Sequence, residues 1–234
     1  MIAASKAASE PWRRRLYIPN YQIRDAARYA HVSTQTVAAW HKIGDERQLL
    51  PERASRESLS YMQLIEIAVV AAARKAGFKL KDIAAARAYA ADQLKSEFPF
   101  AEHSFKMNGR DLFLDYKKWD PSAGAGRLVS ATQNGQMAWE EILGQLKEFE
   151  YEDGNGIALR WHVGGHGSPV FIDPRLAFGA PNVKGVPTWA LKGRWVAGDS
   201  PKEIAEDYAL SKGAVEKALE FEGIDLRQSN EWVH

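Results

Sequence analysis

Cysteine is absent from this sequence of 234 residues. The absence excludes disulfide bonds, thiolate metal sites and a cysteine nucleophile, and it is typical of proteins in a reducing compartment. Long apolar runs are also missing. The longest, near residues 67–73, is far shorter than the roughly 20 residues needed to cross a bilayer. The N-terminus has no apolar signal core, so we expect a cytoplasmic protein that spans no membrane.

Charge of either sign is nearly balanced over the chain, with a net charge of +1, but it is unevenly distributed. Residues 1–60 hold ten basic against six acidic residues, whereas residues 199–234 hold four against nine. Only the basic N-terminal part has the sign needed to displace counterions from nucleic-acid phosphates. We therefore expect the two ends of the chain to have different partners.

The hydrophobic patterning predicts a mostly helical α+β fold in four segments. Residues 1–16 indicate a flexible tail, residues 17–97 a helical domain, residues 98–176 a mixed α/β region, and residues 177–234 an acidic trihelical domain. In the helical domain, Ser60 should cap a long helix that Gly77 ends, and a second helix should occupy residues 79–94. The mixed region should dimerise the chain or contact a partner. Its predicted elements are a hairpin at residues 98–116, a strand at 128–131, a helix at 137–149, two strands within 149–163 and a strand within 168–174.

The clearest motif is a helix-turn-helix over residues 22–42. Its two short helices must cross at a fixed angle, which requires small or apolar residues where they touch. Ser33 can cap the second helix. The turn commonly holds a glycine with positive φ; His31 stands there and tolerates that conformation better than β-branched residues do. The predicted contact residues are Ala26, Ala27, Ala30, Val32, Val37 and Trp40.

The outward face of this motif has side chains suited to DNA. Gln35 could bond adenine bidentately, and Arg24 and Arg28 suit backbone phosphates. A basic arm of Arg13, Arg14 and Arg15 could enter the adjacent minor groove, or could be only a solubilising flank. The hairpin itself could also be structural or bind protein. The predicted DNA contacts are Arg13, Arg14, Arg15, Arg24, Arg28, Ser33, Thr34, Gln35, Thr36, Ala38 and Lys42, with Ala39 also facing outward.

The elements that follow the helix-turn-helix occur in a recognisable order. A candidate wing, DERQLLPERASRES, precedes two helices joined through AGFKLKDI. Residues 17–95 in this order resemble the MerR-type winged-helix domain, and the resemblance implies DNA binding. MerR-type proteins usually continue into a long dimerising coiled coil with an effector domain or metal-binding cysteines. This chain has neither.

A second helix-turn-helix pattern lies in SPKEIAEDYALSKGAVEKALEFEG. Its contact positions repeat the phase of the first motif, at Ile204, Ala205, Tyr208, Leu210, Val215 and Ala218. Its surface is acidic, which would repel phosphate. We therefore expect it to contact a basic protein or to pack within its own dimer. The predicted partner-binding residues are Glu203, Glu206, Asp207, Glu216 and Glu220.

The C-terminal segment carries a further set of motifs. They are an Asp-Pro lead-in at Asp173, an FG-x-P turn at Phe178, a Pro-Thr entry to the first helix at Pro187, and the core Ile204–Tyr208. They resemble a small trihelical family of unassigned function found in bacterial toxin–antitoxin pairs. The order of domains is similar to that of VapB-like antitoxins. This resemblance implies an autorepressor that neutralises a PIN-type ribonuclease toxin.

Catalytic and metal chemistry find little support in the sequence. His162 and His166 lie four apart, but in a Gly-rich extended segment that would not project them together. Ser168 lacks a nucleophile elbow, and no Gly-rich stretch ends as a phosphate loop does. We expect no enzyme, no metal and no cofactor. The prediction is a homodimeric DNA-binding antitoxin; the alternatives are a ligand-responsive MerR-like regulator and a protein-binding adaptor.

Overall fold

The chain divides into two units between Ala158 and Leu159, inside the predicted mixed region of residues 98–176 and not at its ends. The structure, a computed structural model, describes residues 11–42, 49–51, 57–80, 83–84, 87, 91, 95–102, 148–152 and 157–226. Within these ranges the fold is mixed, with helices and small two-stranded sheets. The predictions for residues 103–147, including most of the hairpin, the strand at 128–131 and most of the helix at 137–149, lie outside the described residues.

The first unit is built around one long helix. Its elements are α1 (Pro11–Arg15), α2 (Ile23–Tyr29), α3 (Thr34–Trp40), α4 (Tyr61–Lys75), α5 (Pro99–Glu102) and strand β1 (Phe149–Tyr151). Almost the whole of α4 is buried. Ser60 caps it through a reciprocal pair with Gln63, and Gly77 follows its end with a φ of 93°. Both predictions for this helix are confirmed. The described residues of the following segment, Leu80, Ile83, Ala84, Arg87 and Ala91, are helical, as predicted.

A buried ion pair joins this helix to the segment that follows it. Glu66 is 1% exposed and accepts a hydrogen bond of 2.6 Å from Arg87 Nε. Its other oxygen accepts from the backbone amides of Phe100 and Ala101, at the start of α5. Burial raises the pKa of Glu66, and the charge of Arg87 opposes that shift. The pair and the two amides fix α5 against α4.

The hairpin predicted for residues 98–116 is wrong at its start, residues 99–102. They form helix α5 and not the first strand of the predicted hairpin. Phe98, Pro99, Phe100 and Ala101 are all buried, so an alternating apolar pattern does not describe this stretch. The two amides bonded to the Glu66 carboxylate favour a helical turn here, because a helix start presents free N–H groups to an anion.

The second unit contains two sheet fragments and three helices. Strand β2 (Ala158–Trp161) spans the division between the units, and β3 (Asn182–Val183) pairs antiparallel with β4 (Val186–Pro187). The two strands predicted within residues 149–163 are thus present as β1 and β2. The segment predicted as a strand near residue 171 makes only isolated bridges, between Phe171 and Asn182 and between Trp161 and Ile172. The helices are α6 (Thr188–Val196), α7 (Pro201–Asp207) and α8 (Lys212–Phe221), which pack on one another.

Asp173 anchors the start of this unit. Its carboxylate is fully buried and accepts two hydrogen bonds from the Arg175 guanidinium, at 2.9 and 2.6 Å, and one from the Arg175 backbone amide. Arg160 Nη2 lies 3.5 Å from the same group. A buried carboxylate needs such partners to offset its lost hydration. The Asp-Pro pair noted in the sequence therefore has a structural role in the second unit.

Candidate nucleic-acid interface

The turn of the first helix-turn-helix has the geometry that the sequence predicts. His31 adopts a φ of 55°, in the left-handed region. The next amide, of Val32, donates to the carbonyl of Ala27 at 3.0 Å, which closes the end of α2. Ser33 Oγ then accepts from the amide of Thr36 at 3.0 Å and caps α3. The His31 and Ser33 predictions are confirmed, so the two helices meet through a defined turn.

The inner face of the motif is as predicted except at one residue. Ala26, Ala27, Val37 and Trp40 are at most 2% exposed, while Ala30 and Val32 are half-buried. Ala39, predicted to face outward, is 5% exposed. Beside Ala39, residues 49–51 return to the last turn of α3 and bond its carboxyl end. The amides of Leu49 and Leu50 both donate to the Trp40 carbonyl, and His41 Nδ1 lies 2.8 Å from the Pro51 carbonyl.

The outer face keeps most of the predicted contact residues accessible. Gln35, Ala38 and Lys42 are exposed, and Thr34 and Thr36 are half-buried. Ser33 Oγ and Thr36 Oγ1 are 2.8 Å apart, so these two hydroxyls are bonded to each other beside the cap. Thr34 Oγ1 donates to Gln35 Oε1 at 3.3 Å. The structure thus assigns Ser33 and Thr36 to the helix cap and leaves Gln35, Ala38 and Lys42 exposed to solvent.

Two arginines of α2 lie at the surface of the same motif. The Arg24 side chain is 81% exposed, and its Nε is 3.9 Å from Asp25 Oδ1. Asp25 also bonds the backbone amide of Gln22 in the capping pair of α2. Arg28 is exposed, with its guanidinium 5.0 Å from the ring centre of Tyr29. Since exposed ion pairs of this kind contribute little, the Arg24 guanidinium can turn to a phosphate at small cost.

The prediction of a basic arm at Arg13, Arg14 and Arg15 is wrong in part. Pro11–Arg15 forms helix α1 and Leu16 is fully buried, so residues 11–16 do not belong to a flexible tail. The Arg13 guanidinium donates to both oxygens of Glu152, at 2.6 and 2.8 Å, and its side chain is only 13% exposed. Both bonds come from Nη2, and this partly buried ion pair holds the Arg13 side chain within the first unit, so Arg13 is not part of a free basic arm. Arg14 and Arg15 are exposed, and residues 1–10 lie outside the described part of the chain.

The second helix-turn-helix repeats the backbone of the first residue by residue. Ser200 caps α7 with Glu203 as its reciprocal partner, where Gln22 and Asp25 stand in the first motif. Ala209 has a φ of 52°, at the position of His31. Leu210 donates to the Ala205 carbonyl at 2.9 Å, and Ser211 caps α8. Of its predicted contact residues, Ile204, Ala205, Val215 and Ala218 are buried, and Tyr208 and Leu210 are half-buried.

The acidic side chains of this second motif have partners within their own unit. Lys202, Lys212 and Lys217 pair with Glu206, Glu216 and Glu220 at 3.9, 3.3 and 2.7 Å, and Arg194 Nη2 lies 2.6 Å from Asp207. Glu203 accepts from the Ser200 amide, which lowers the pKa of this carboxyl. Four of the five residues predicted to bind a partner are therefore paired with basic side chains, and Glu203 is bonded to a backbone amide. The i, i+3 and i, i+4 spacings of Lys and Glu are the sequence signal for such helix pairs, and the prediction of an acidic surface did not take them into account.

A left-handed turn near residue 178 is a feature that the sequence pattern did not predict in detail. Ala177, Phe178 and Gly179 have φ values of 48°, 52° and 78° in succession. Residues other than glycine seldom adopt this conformation, and consecutive examples are rarer still. Phe178 is 79% exposed on this turn. Backbone strain of this kind is often found at functional sites, so the exposed turn at Phe178 is a candidate binding surface.

The two closely spaced histidines and the longer helices were the other candidates that the sequence offered for a metal site or a membrane span. Among the residues described, no group of three or more His, Cys, Asp or Glu side chains could hold a metal ion. His162 Nδ1 lies 3.2 Å from the Ser168 carbonyl, and its ring is 6.1 Å from that of Phe171. In the same described ranges, no helix combines the length and apolarity that crossing a membrane requires.

Comparison with known proteins places part of the chain. Residues 170–221 match the profile of a family described as a protein of unknown function (DUF433). Among solved structures, the chain is similar to Rv2018 from Mycobacterium tuberculosis, with a TM-score of 0.66 and 22% identity over 88% of this chain and 99% of that one. At this identity the likeness shows the fold alone. No curated protein matches the chain. The MerR-like and VapB-like resemblances stay predictions.

Proposed function

We propose that the helix-turn-helix at residues 22–42 binds duplex DNA in a major groove and that the chain is a transcriptional regulator. The observation that carries the proposal is the contrast between two motifs with one backbone geometry. In the first, the outward positions after the cap hold Gln35, Ala38 and Lys42; in the second, the corresponding positions hold Gly213, Glu216 and Glu220. At these positions, the first motif has an amide side chain (Gln35) and a cation (Lys42), whereas the second has two carboxylates.

The chemistry of each contact follows from its exposure. Gln35 can form a bidentate bond with adenine, because its Oε1 has a second lone pair beside the one that Thr34 uses. Ala38 leaves room for a thymine methyl group at the next turn of the helix. Arg24, Arg28 and Lys42 would neutralise phosphates and set the orientation of α3 without reading sequence.

A salt titration tests this assignment. The full chain is titrated against DNA from upstream of its own gene at several salt concentrations, as wild type and as Arg24→Ala with Arg28→Ala. Each lost phosphate contact lowers the slope of log K against log salt by about 0.9, so the double variant should lose up to about two. The control is Lys202→Ala, because Lys202 occupies in the second motif the place of Arg24. Equal slopes in all three proteins would refute the proposal.

Base readout is tested separately. In Gln35→Ala, preference at one operator position should relax, while affinity for unrelated DNA changes little. An equal loss of affinity on every sequence would make Gln35 a positioning residue. The matched control is Gly213→Ala, which adds a methyl group at the equivalent position of the second motif and should leave DNA binding unchanged.

We further propose that the protein is the antitoxin of a toxin–antitoxin pair. The support is the resemblance of residues 173–208 to the trihelical family and the order of domains. In this proposal a homodimer represses its own operon, and the second unit holds a PIN-type ribonuclease. Because Glu206, Asp207, Glu216 and Glu220 already have basic partners, a basic toxin would have to exchange those ion pairs for its own, whereas Glu203 is bonded to a backbone amide. Co-expression with the product of the neighbouring gene tests it: a stable complex with latent ribonuclease activity is expected, and recovery of this chain alone would count against it.

A further inference from the structure

The outer surface of helix α6 carries an apolar stripe. Trp189, Gly193, Val196 and Ala197 follow one another at helical spacing, so they share one face of the helix. Trp189 is 64% exposed and Val196 72% exposed, while Leu191 on the opposite side is fully buried. Large apolar side chains are seldom left this open in a row on one helix. The stripe is thus a candidate interaction surface that is distinct from the helix-turn-helix of either unit.

The charges beside the stripe are held by other groups of the same unit. Lys192 Nζ donates to the carbonyl of Glu222 at 3.0 Å. Arg194 bonds both Asp199 and Asp207, and these bonds raise the pKa of its guanidinium. A face flanked by compensated charges neither attracts phosphate strongly nor repels an identical face. Its electrostatics therefore suit a second copy of this chain better than nucleic acid.

The shape of the stripe is self-complementary. A Cβ placed on Gly193 would meet no atom within 4 Å, so the helix backbone is open at this point. If two copies of α6 cross antiparallel there, Trp189 of one copy lies over Val196 and Ala197 of the other. Large residues then face small ones on both sides of the crossing, as a two-fold interface requires.

From these observations we infer that the protein self-associates through α6, with two copies crossing at Gly193. The exposed parts of Trp189 and Val196 would together bury roughly 500 Å² of apolar surface over two copies. Since about 60% of an interface is apolar, the whole contact would be on the order of 900 Å², in the range of weak, reversible association. Two copies held on adjacent DNA half-sites would meet at a higher effective concentration, and the contact would then favour paired binding.

The absence of native cysteine makes the test direct. At a helix crossing, with axes 8–10 Å apart and Cα atoms about 2.3 Å from each axis, the two Cα atoms at position 193 lie about 3.4–5.4 Å apart. The upper half of that range overlaps the Cα separations of about 4.4–6.8 Å that a disulfide bond spans. Gly193→Cys in the full chain, under mild oxidation and without DNA, should give a covalent dimer. The matched control is Gly213→Cys, which is also helical, exposed and open around its Cβ position.

The expected result is a disulfide dimer of Gly193→Cys that forms about tenfold faster than that of Gly213→Cys. Adding Trp189→Glu to Gly193→Cys should abolish this advantage. Equal rates for the two cysteine variants, or a rate that Trp189→Glu leaves unchanged, would overturn the inference. It would also be overturned if the wild-type chain sediments as a monomer at every concentration. None of these outcomes depends on DNA, so the inference can fail while the proposed DNA binding stands, or the reverse.

Discussion

Replacing Ala209 by glycine should stabilise the second unit, since Ala209 holds a left-handed conformation with a φ of 52°. An L-residue in this region costs roughly 1–2 kcal/mol, and glycine does not incur that cost. Glycine adds about 0.4–1 kcal/mol of conformational entropy to the unfolded chain, which opposes the gain. Ala209 is exposed, so no apolar burial is lost. The net expectation is a gain of about 0.5–1 kcal/mol in the free energy of unfolding.

The equivalent position of the first motif gives an internal comparison. His31 has a φ of 55° and is also exposed. Histidine is several-fold enriched in this region relative to most residues, so its strain is smaller by about 0.5 kcal/mol. His31→Gly should therefore stabilise the first unit less than Ala209→Gly stabilises the second. The order of the two gains is the prediction.

Urea denaturation of the full chain, followed by far-ultraviolet circular dichroism and by tryptophan fluorescence, measures both effects. Gly213→Ala serves as the control, because Gly213 lies in a helix with open space around it. At position 213 alanine should raise the free energy of unfolding by roughly 0.5–1 kcal/mol. Glycine is thus expected to be the better residue at position 209 and the worse one at position 213. If Ala209→Gly destabilises the protein, or if Gly213→Ala and Ala209→Gly have opposite signs, the argument from backbone conformation is wrong.

The remaining predictions concern caps, a buried ion pair and pH. Ser33→Ala and Ser211→Ala should each cost about 1 kcal/mol in denaturation, because each serine caps a helix of its motif; an unchanged midpoint in both would contradict the cap assignment. Glu66→Ala should cost about 3–5 kcal/mol, because it leaves Arg87 buried without its carboxylate; Glu66→Gln keeps one acceptor oxygen and should cost less, and a Glu66→Gln protein as stable as wild type would show that the charge is irrelevant there. Glu203 contributes stability above the pKa of the unfolded chain that is lost as pH falls through its lowered folded pKa, so Glu203→Gln should remove part of the acid dependence of unfolding.

The helix-turn-helix could be predicted from sequence because its determinants are local. A cap, a left-handed turn residue and apolar positions at helical spacing lie within about 20 residues, and they depend on backbone rules that apply in any context. Ser33, His31 and Ser60 were predicted on this basis and confirmed. The same rules fix the second motif, where the cap and turn at Ser211 and Ala209 follow the same phase.

The sequence predictions were wrong where a contact with a residue far away in the chain determines the local structure. Arg13 reads as part of a free basic arm until Glu152 is placed beside it, and nothing near position 13 in the sequence reveals that pair. Ala39 is buried where residues 49–51 return from outside the motif to bond the neighbouring Trp40 and His41. The aromatic segment that begins at Phe98 was predicted to be a strand, but the Glu66 carboxylate binds the amides of Phe100 and Ala101 and favours a helix. Contacts of this kind depend on tertiary structure, which periodicity alone does not supply.

The ion pairs of the second motif also shape its field at a distance. Each of Lys202, Lys212 and Lys217 lies within 4 Å of its carboxylate, so each pair acts as a dipole, whose potential falls off faster than that of a single charge. With a screening length of about 8 Å at physiological salt, little of that potential extends beyond the first hydration layers. The three paired carboxylates would thus repel a nearby polyanion only weakly, and the repulsion would come from the acidic residues outside these pairs. In the proposed function, these lysines would reduce the cost of keeping an acidic helical motif in the same chain as a DNA-binding one.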